Sequence, residues 1–137
     1  MKDKNLTNKK GFTLFELLVV ISIIGVLVAV ASVSYSAAQK RGRDAKRRQD
    51  MQAVQKAFEQ YYAENNTYNA TCADMAGALP GGLPSDPKPG WTSYQGSCTS
   101  TSYCYCAYLE ISGTGNANNS SCSYGGSKNY YCVSNLQ

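Results

Sequence analysis

Gly11-Phe12-Thr13-Leu14-Phe15-Glu16 stands where a lysine-bearing leader meets a long apolar run, and it places one carboxylate inside an otherwise membrane-compatible segment. From Phe12 to Val33 every residue except Glu16 is apolar or small. As a helix rising about 1.5 Å per residue, this stretch of 22 residues reaches roughly 33 Å and matches a hydrocarbon core of about 30 Å. An acid at the bilayer centre costs about 2.5–3.5 kcal/mol on insertion scales, so a plain anchor gains nothing from Glu16. The segment therefore predicts a partner for that carboxylate. A cut between Gly11 and Phe12 would supply one, because the new α-amino group is a cation four residues from Glu16 and, in an array of parallel helices, within reach of a neighbour's carboxylate.

A short basic leader, Gly-Phe-Thr-Leu-x-Glu and an apolar helix resemble the prepilin signature of type IV pilins and of the related pseudopilins of type II secretion. In that family a membrane aspartic peptidase cuts after the glycine and methylates the new amine. The resemblance implies that Gly11 is the cleavage residue, Phe12 the methylated N-terminus and Glu16 the assembly glutamate. Thr13, Leu14 and Gly25 also fall where the family pattern puts them. One departure is visible: many members carry a proline late in the apolar half of the helix, where this chain has Val33 and keeps only Gly25 as an intrinsic weak point.

Two plainer readings compete. An ordinary secretory signal also has lysines before an apolar stretch, and Ala29-Val30-Ala31 before Ser32 is a passable small-x-small cleavage site. Such apolar regions usually run about 7–15 residues and have no use for an internal glutamate. An uncleaved anchor fails on the same carboxylate.

Beyond the span there is room for one small external domain. Residues 63–137 give 75 positions, few enough that covalent staples are expected. All six cysteines lie there, Cys72, Cys98, Cys104, Cys106, Cys122 and Cys132. An even count beyond a membrane span predicts up to three disulfides in an oxidising compartment, with about fifteen connectivities open. A chain with no histidine and no Cys-x-x-Cys pair argues against zinc, and the scattered acids Asp74, Asp86 and Glu110 argue against calcium, so no metal is expected. The same inventory offers no nucleophile with its base and no acid/base couple, so neither an enzyme nor a cofactor is expected.

The net charge of +4 hides an asymmetry. Residues 1–11 carry +3, residues 40–48 carry +5 and residues 49–137 carry −3. The cluster Lys40, Arg41, Arg43, Lys46, Arg47 and Arg48 reads as an exposed turn of helix, either solvated or paired with acidic heads of adjacent subunits; a nucleic-acid contact is the alternative.

From Ser34 to Tyr62 there is no proline, and Met51, Val54, Phe58, Tyr61 and Tyr62 recur at spacings of three and four, which predicts that the helix continues as an amphipathic segment. Asn65-Asn66-Thr67 ends it. The stretch Glu59 to Tyr68 and the Leu-Pro-x-Asp-Pro loop within Leu79 to Gly90 are similar to the junction and the pre-sheet loop of pilins and pseudopilins. Strands are expected at Trp91–Cys98, Ser102–Ile111 and Asn129–Ser134, with Ser112 to Lys128 a long loop pinned by Cys122. Cys104 and Cys106, two apart on the clearest strand, share a face and should bond to different partners. The expected fold is α+β: a long N-terminal helix packed on a small antiparallel, disulfide-stapled β-sheet head. Its divisions are a leader at 1–11, a long helix at 12–64 with 12–33 the transmembrane or filament-core part, and a globular head at 65–137.

The resulting expectation is a structural subunit of a type IV pilus-like filament. Its partners would be copies of itself and related pilins, the prepilin peptidase, the pilus or secretion assembly machinery and the membrane. It would sit as a single-pass protein in the cytoplasmic membrane before assembly and in an extracellular filament afterwards. A pseudopilin of type II secretion and a membrane-anchored DNA-binding or adhesion module remain open beside it.

Overall fold

The computed structural model describes residues 11–92 and 94–137, so the leader up to Lys10 lies outside the described residues. The chain divides into two compact units, Met1–Ala37 and Ala38–Gln137. Helix α1, Leu14–Asn65, contributes to both. No proline falls within it. In the first unit the large apolar side chains from Phe12 to Val33 are uncovered by protein, and this part of α1 is long and apolar enough to cross a membrane.

In the second unit α1 turns one face inward. Asp44, Arg47, Asp50, Met51, Val54, Ala57 and Phe58 are buried, a run of three- and four-residue steps that makes one continuous stripe. The stripe packs on a three-stranded antiparallel sheet of order β1-β2-β3, with β1 at Gln95–Cys98, β2 at Tyr103–Tyr108 and β3 at Tyr130–Ser134. Central β2 is covered on both faces. Tyr103, Tyr105 and Ala107 join Val133 against the helix, and Phe58 meets the rings of Tyr103 and Tyr105 edge-on at 5.0 and 6.0 Å. On the opposite face Cys106 and Cys132 pack with Ala117 and, at their margin, Cys104, Cys122 and Tyr130. Period-two alternation thus gives the aromatics to the helix and the sulfurs to the loop.

The ends of the elements are set by particular contacts. Asn66, at φ 55°, takes the left-handed conformation that closes α1, and its N–H donates to Tyr62 O at 2.7 Å. β2 stops at Tyr108, three residues short of the expected Ile111, because the N–H groups of Glu110 and Ile111 donate to the Asp44 carboxylate, each at 2.9 Å, instead of to a strand. β1 starts at Gln95 and not Trp91, since Trp91 stacks on Tyr108 and the Tyr94 hydroxyl donates to Asp50 at 2.8 Å. A short 3-10 turn at Cys72–Ala76, absent from the sequence reading, buries Met75 and Ala76.

The 112–128 loop is not merely tethered. Ala117 exchanges two backbone hydrogen bonds with Tyr130 at 3.0 Å, and the Asn116 side chain accepts from Cys132 N–H at 2.7 Å and donates to Cys132 O at 2.8 Å. Backbone and amide side chain together cover part of the outer edge of β3. Gly115 passes so close to Tyr130 O that any Cβ would overlap the carbonyl.

Candidate functional site

The sequence singles out three groups of residues, and they occupy different environments. At the start of α1, Gly11 and Phe12 are exposed. Thr13 precedes the first helical residue and Glu16 is third in the helix, the spacing of a capping box. The Thr13 hydroxyl accepts from Glu16 N–H at 3.1 Å and donates to Glu16 Oε2 at 2.9 Å. Glu16 Oε2 also accepts from Thr13 N–H at 3.0 Å. Two otherwise orphaned N–H groups of the first turn are satisfied this way. Within the isolated chain Glu16 thus accepts from Thr13, and no cation contacts its carboxylate among the described residues.

The basic run requires a correction. Lys40 and Arg41 are exposed, but Arg47 is 0% exposed and lies in the core stripe. Its guanidinium grips Asp86 bidentately, with Nε and Nη2 each 2.7 Å from a carboxylate oxygen, while Nη1 donates to Asp44 at 2.8 Å and Glu110 at 2.9 Å. Arg43 adds a second bidentate pair to Glu110 at 2.6 and 2.8 Å, and Lys88 Nζ approaches the same carboxylate at 3.3 Å. Three cations face three carboxylates, so the cluster is charge-neutral. Lys46 pairs with Asp50 at 2.8 Å, and Arg48 donates to Thr114 O at 2.9 Å. Arg43 and Arg47 thus pair with carboxylates of their own head.

The physical reason is burial. A guanidinium without water needs carboxylates on several of its donors, and planar Arg can satisfy them in fork geometry. Asp86 and Glu110, scattered in sequence, are carried to it by the proline-rich loop and by the end of β2. A signal was present in the chain: Asp44 and Arg47 continue the Met51, Val54, Phe58 stripe at steps of three and four, which puts them on the core face. The hydrogen bonds from Arg43, then those from Arg47 and Lys88, outweigh desolvation and hold the Glu110 carboxyl far below the usual carboxylate range. Burial disfavours the charge on Arg47, but hydrogen bonds to Asp86, Glu110 and Asp44 prevail and raise its pKa.

A second polar focus sits at the other end of the stripe. Tyr68 and Tyr103 both direct their hydroxyls at Glu59, at 3.1 and 2.8 Å. Desolvation, reinforced by those bonds, pushes the Tyr68 phenol up to about 12 and raises that of Tyr103 as well.

The six cysteines form Cys72–Cys98, Cys104–Cys122 and Cys106–Cys132. The first ties the 3-10 turn to β1, the second fastens the 112–128 loop to β2, and the third crosses β2 to β3. Sulfurs of Cys104, Cys106 and Cys122 lie within 4.8 Å of one another, yet all three are spent in disulfides and present no thiolate to a metal.

Comparison with known proteins locates the chain. Residues 6–32 match the family model described as "Prokaryotic N-terminal methylation motif". The chain is 38% identical over 100 residues to the "Type IV wide pilus major component PilA4" of Thermus thermophilus, covering 73% of each protein. It is 32% identical over 60 residues to the "Type IV major pilin protein PilA" of Myxococcus xanthus, covering 44% of this chain and 27% of that one. With the methylation motif at the apolar end, an α+β head and this extent of likeness, the chain belongs to the type IV pilin family.

Proposed function

We propose that the chain is made with a leader that a prepilin peptidase removes after Gly11, is held in the cytoplasmic membrane by residues 12–33, and is then packed through that helix into an extracellular pilus. Residues 65–137 would form the exposed head, and the role is structural, with no enzymatic activity. The observation that carries the reading is the uncovered apolar surface of the first unit, from Phe12 at 84% exposed to Val33 at 76%, with one carboxylate in its first turn. Water cannot solvate that surface cheaply. Lipid before assembly and neighbouring helices afterwards both can, and Glu16 would meet the α-amino group of a neighbour's Phe12. The similarity to two proteins named as pilus components supports a pilin over a secretion pseudopilin. The nucleic-acid reading loses Arg43 and Arg47 to the head itself, which leaves Lys40 and Arg41 as the cations of the run without an ion-pair or hydrogen-bond partner among the described residues.

Substitution separates the steps. Glu16→Ala should be cleaved and membrane-held as usual but should not yield sheared filaments, because it removes the carboxylate and leaves the scissile glycine untouched. Gly11→Val should accumulate uncleaved. Normal filament yield from Glu16→Ala would refute the pairing.

A further inference from the structure

The capping box at the head of α1 uses Glu16 asymmetrically. Oε2 takes both Thr13 donors, at 3.0 and 2.9 Å, whereas Oε1 accepts from no group among the described residues. An ionised carboxylate has about four acceptor sites, so the box leaves room for a further strong donor on Oε1. It also restrains the long, flexible glutamate side chain, whose ordering would otherwise cost entropy at the moment of contact. In an apolar medium the two internal hydrogen bonds offset part of the desolvation of the acid.

We propose that Thr13 is a positioning residue for assembly: its N–H and hydroxyl hold Glu16 Oε2 against the helix N-terminus and so present Oε1, already oriented, to the amine of a neighbouring subunit. This rests on the reading that Glu16 pairs with a neighbour's Phe12. Serine can make the same reciprocal bonds. Valine keeps the shape and loses the hydroxyl. Aspartate caps a helix as well as threonine does, but its carboxylate repels Glu16 and cannot donate to Oε2. A role in helix stability alone therefore ranks aspartate with threonine, and a positioning role ranks it with valine.

The test uses the full chain in cells, with Thr13→Ser, Thr13→Val, Thr13→Asp and Glu16→Ala side by side. Three quantities are measured: the N-terminus of the membrane-held chain, the sheared-filament yield per processed chain, and the yield per assembled subunit of a carbodiimide cross-link joining Glu16 to a neighbour's Phe12 amine. Thr13→Ser should match the parent. Thr13→Val and Thr13→Asp should lose about fivefold or more in filament and in cross-link, the scale of one lost cap interaction. Wild-type yield and cross-linking from both, with Glu16→Ala still defective, would overturn the positioning role alone. Normal assembly of Glu16→Ala would overturn the pairing on which it stands.

Discussion

Arg47 is the residue on which the head turns. It makes four hydrogen bonds to three carboxylates from a position with no solvent contact. Removing one member of such a cluster strands the others, so Arg47→Met should lower head stability by about 3–5 kcal/mol in denaturant unfolding of the detergent-solubilised chain. Lys40→Gln and Arg41→Gln, exposed in the same basic run, should each stay within about 0.5 kcal/mol of the parent. Were the run a uniformly solvated face, the three substitutions would behave alike. Residue chemistry alone could not divide them, since an Arg-rich helix turn looks the same whether its partners are water, a phosphate backbone or acids a loop and a strand away.

At the scale of elements, what was legible in the sequence was what is local. The helix follows from the absence of proline and the recurrence of Met51, Val54 and Phe58 at helical spacing; the middle strand follows from β-formers around Cys104 and Cys106; Asn66 closes the helix by its tolerance of positive φ. What was illegible is what depends on distant groups. The strand ends shift because Asp44 draws the N–H groups of Glu110 and Ile111, and Tyr94 turns toward Asp50. The pairing of six cysteines likewise depends on which strands adjoin. The 112–128 loop gains structure from Ala117 and Asn116 on the edge of β3, a contact that a Gly-, Asn- and Ser-rich composition does not announce. Replacing both Cys104 and Cys122 by serine should cost about 2–4 kcal/mol and speed amide hydrogen exchange through 112–128, leaving the β2–β3 ladder protected. Exchange that rises equally across the ladder would mean that the loop and the sheet do not open separately.

For the molecule as a whole, the ionic cluster makes the head's stability depend on acid. Glu110 is held below its ordinary range, so its contribution is fully present above the unfolded-state value of about 4.3 and is lost as pH falls toward the folded-state value. The thermal midpoint should thus be flat from about pH 5 to about pH 9 and fall below about pH 4. Glu110→Gln should start lower at neutral pH and lose part of that acid slope. The alkaline side mirrors it. Tyr68, raised to about 12, favours the folded state while it is protonated, and that contribution fades as pH climbs past about 10. The apolar half of α1 and the disulfide-bonded head can both serve one end, a subunit that resides in lipid and then in a polymer, if the chain is cut where the motif indicates. The most direct test is the mass and N-terminal sequence of the chain recovered from sheared filaments. A chain that begins at Phe12 with a methylated amine is the expected result, and assembled material that begins at Met1 or at Ser32 would contradict it.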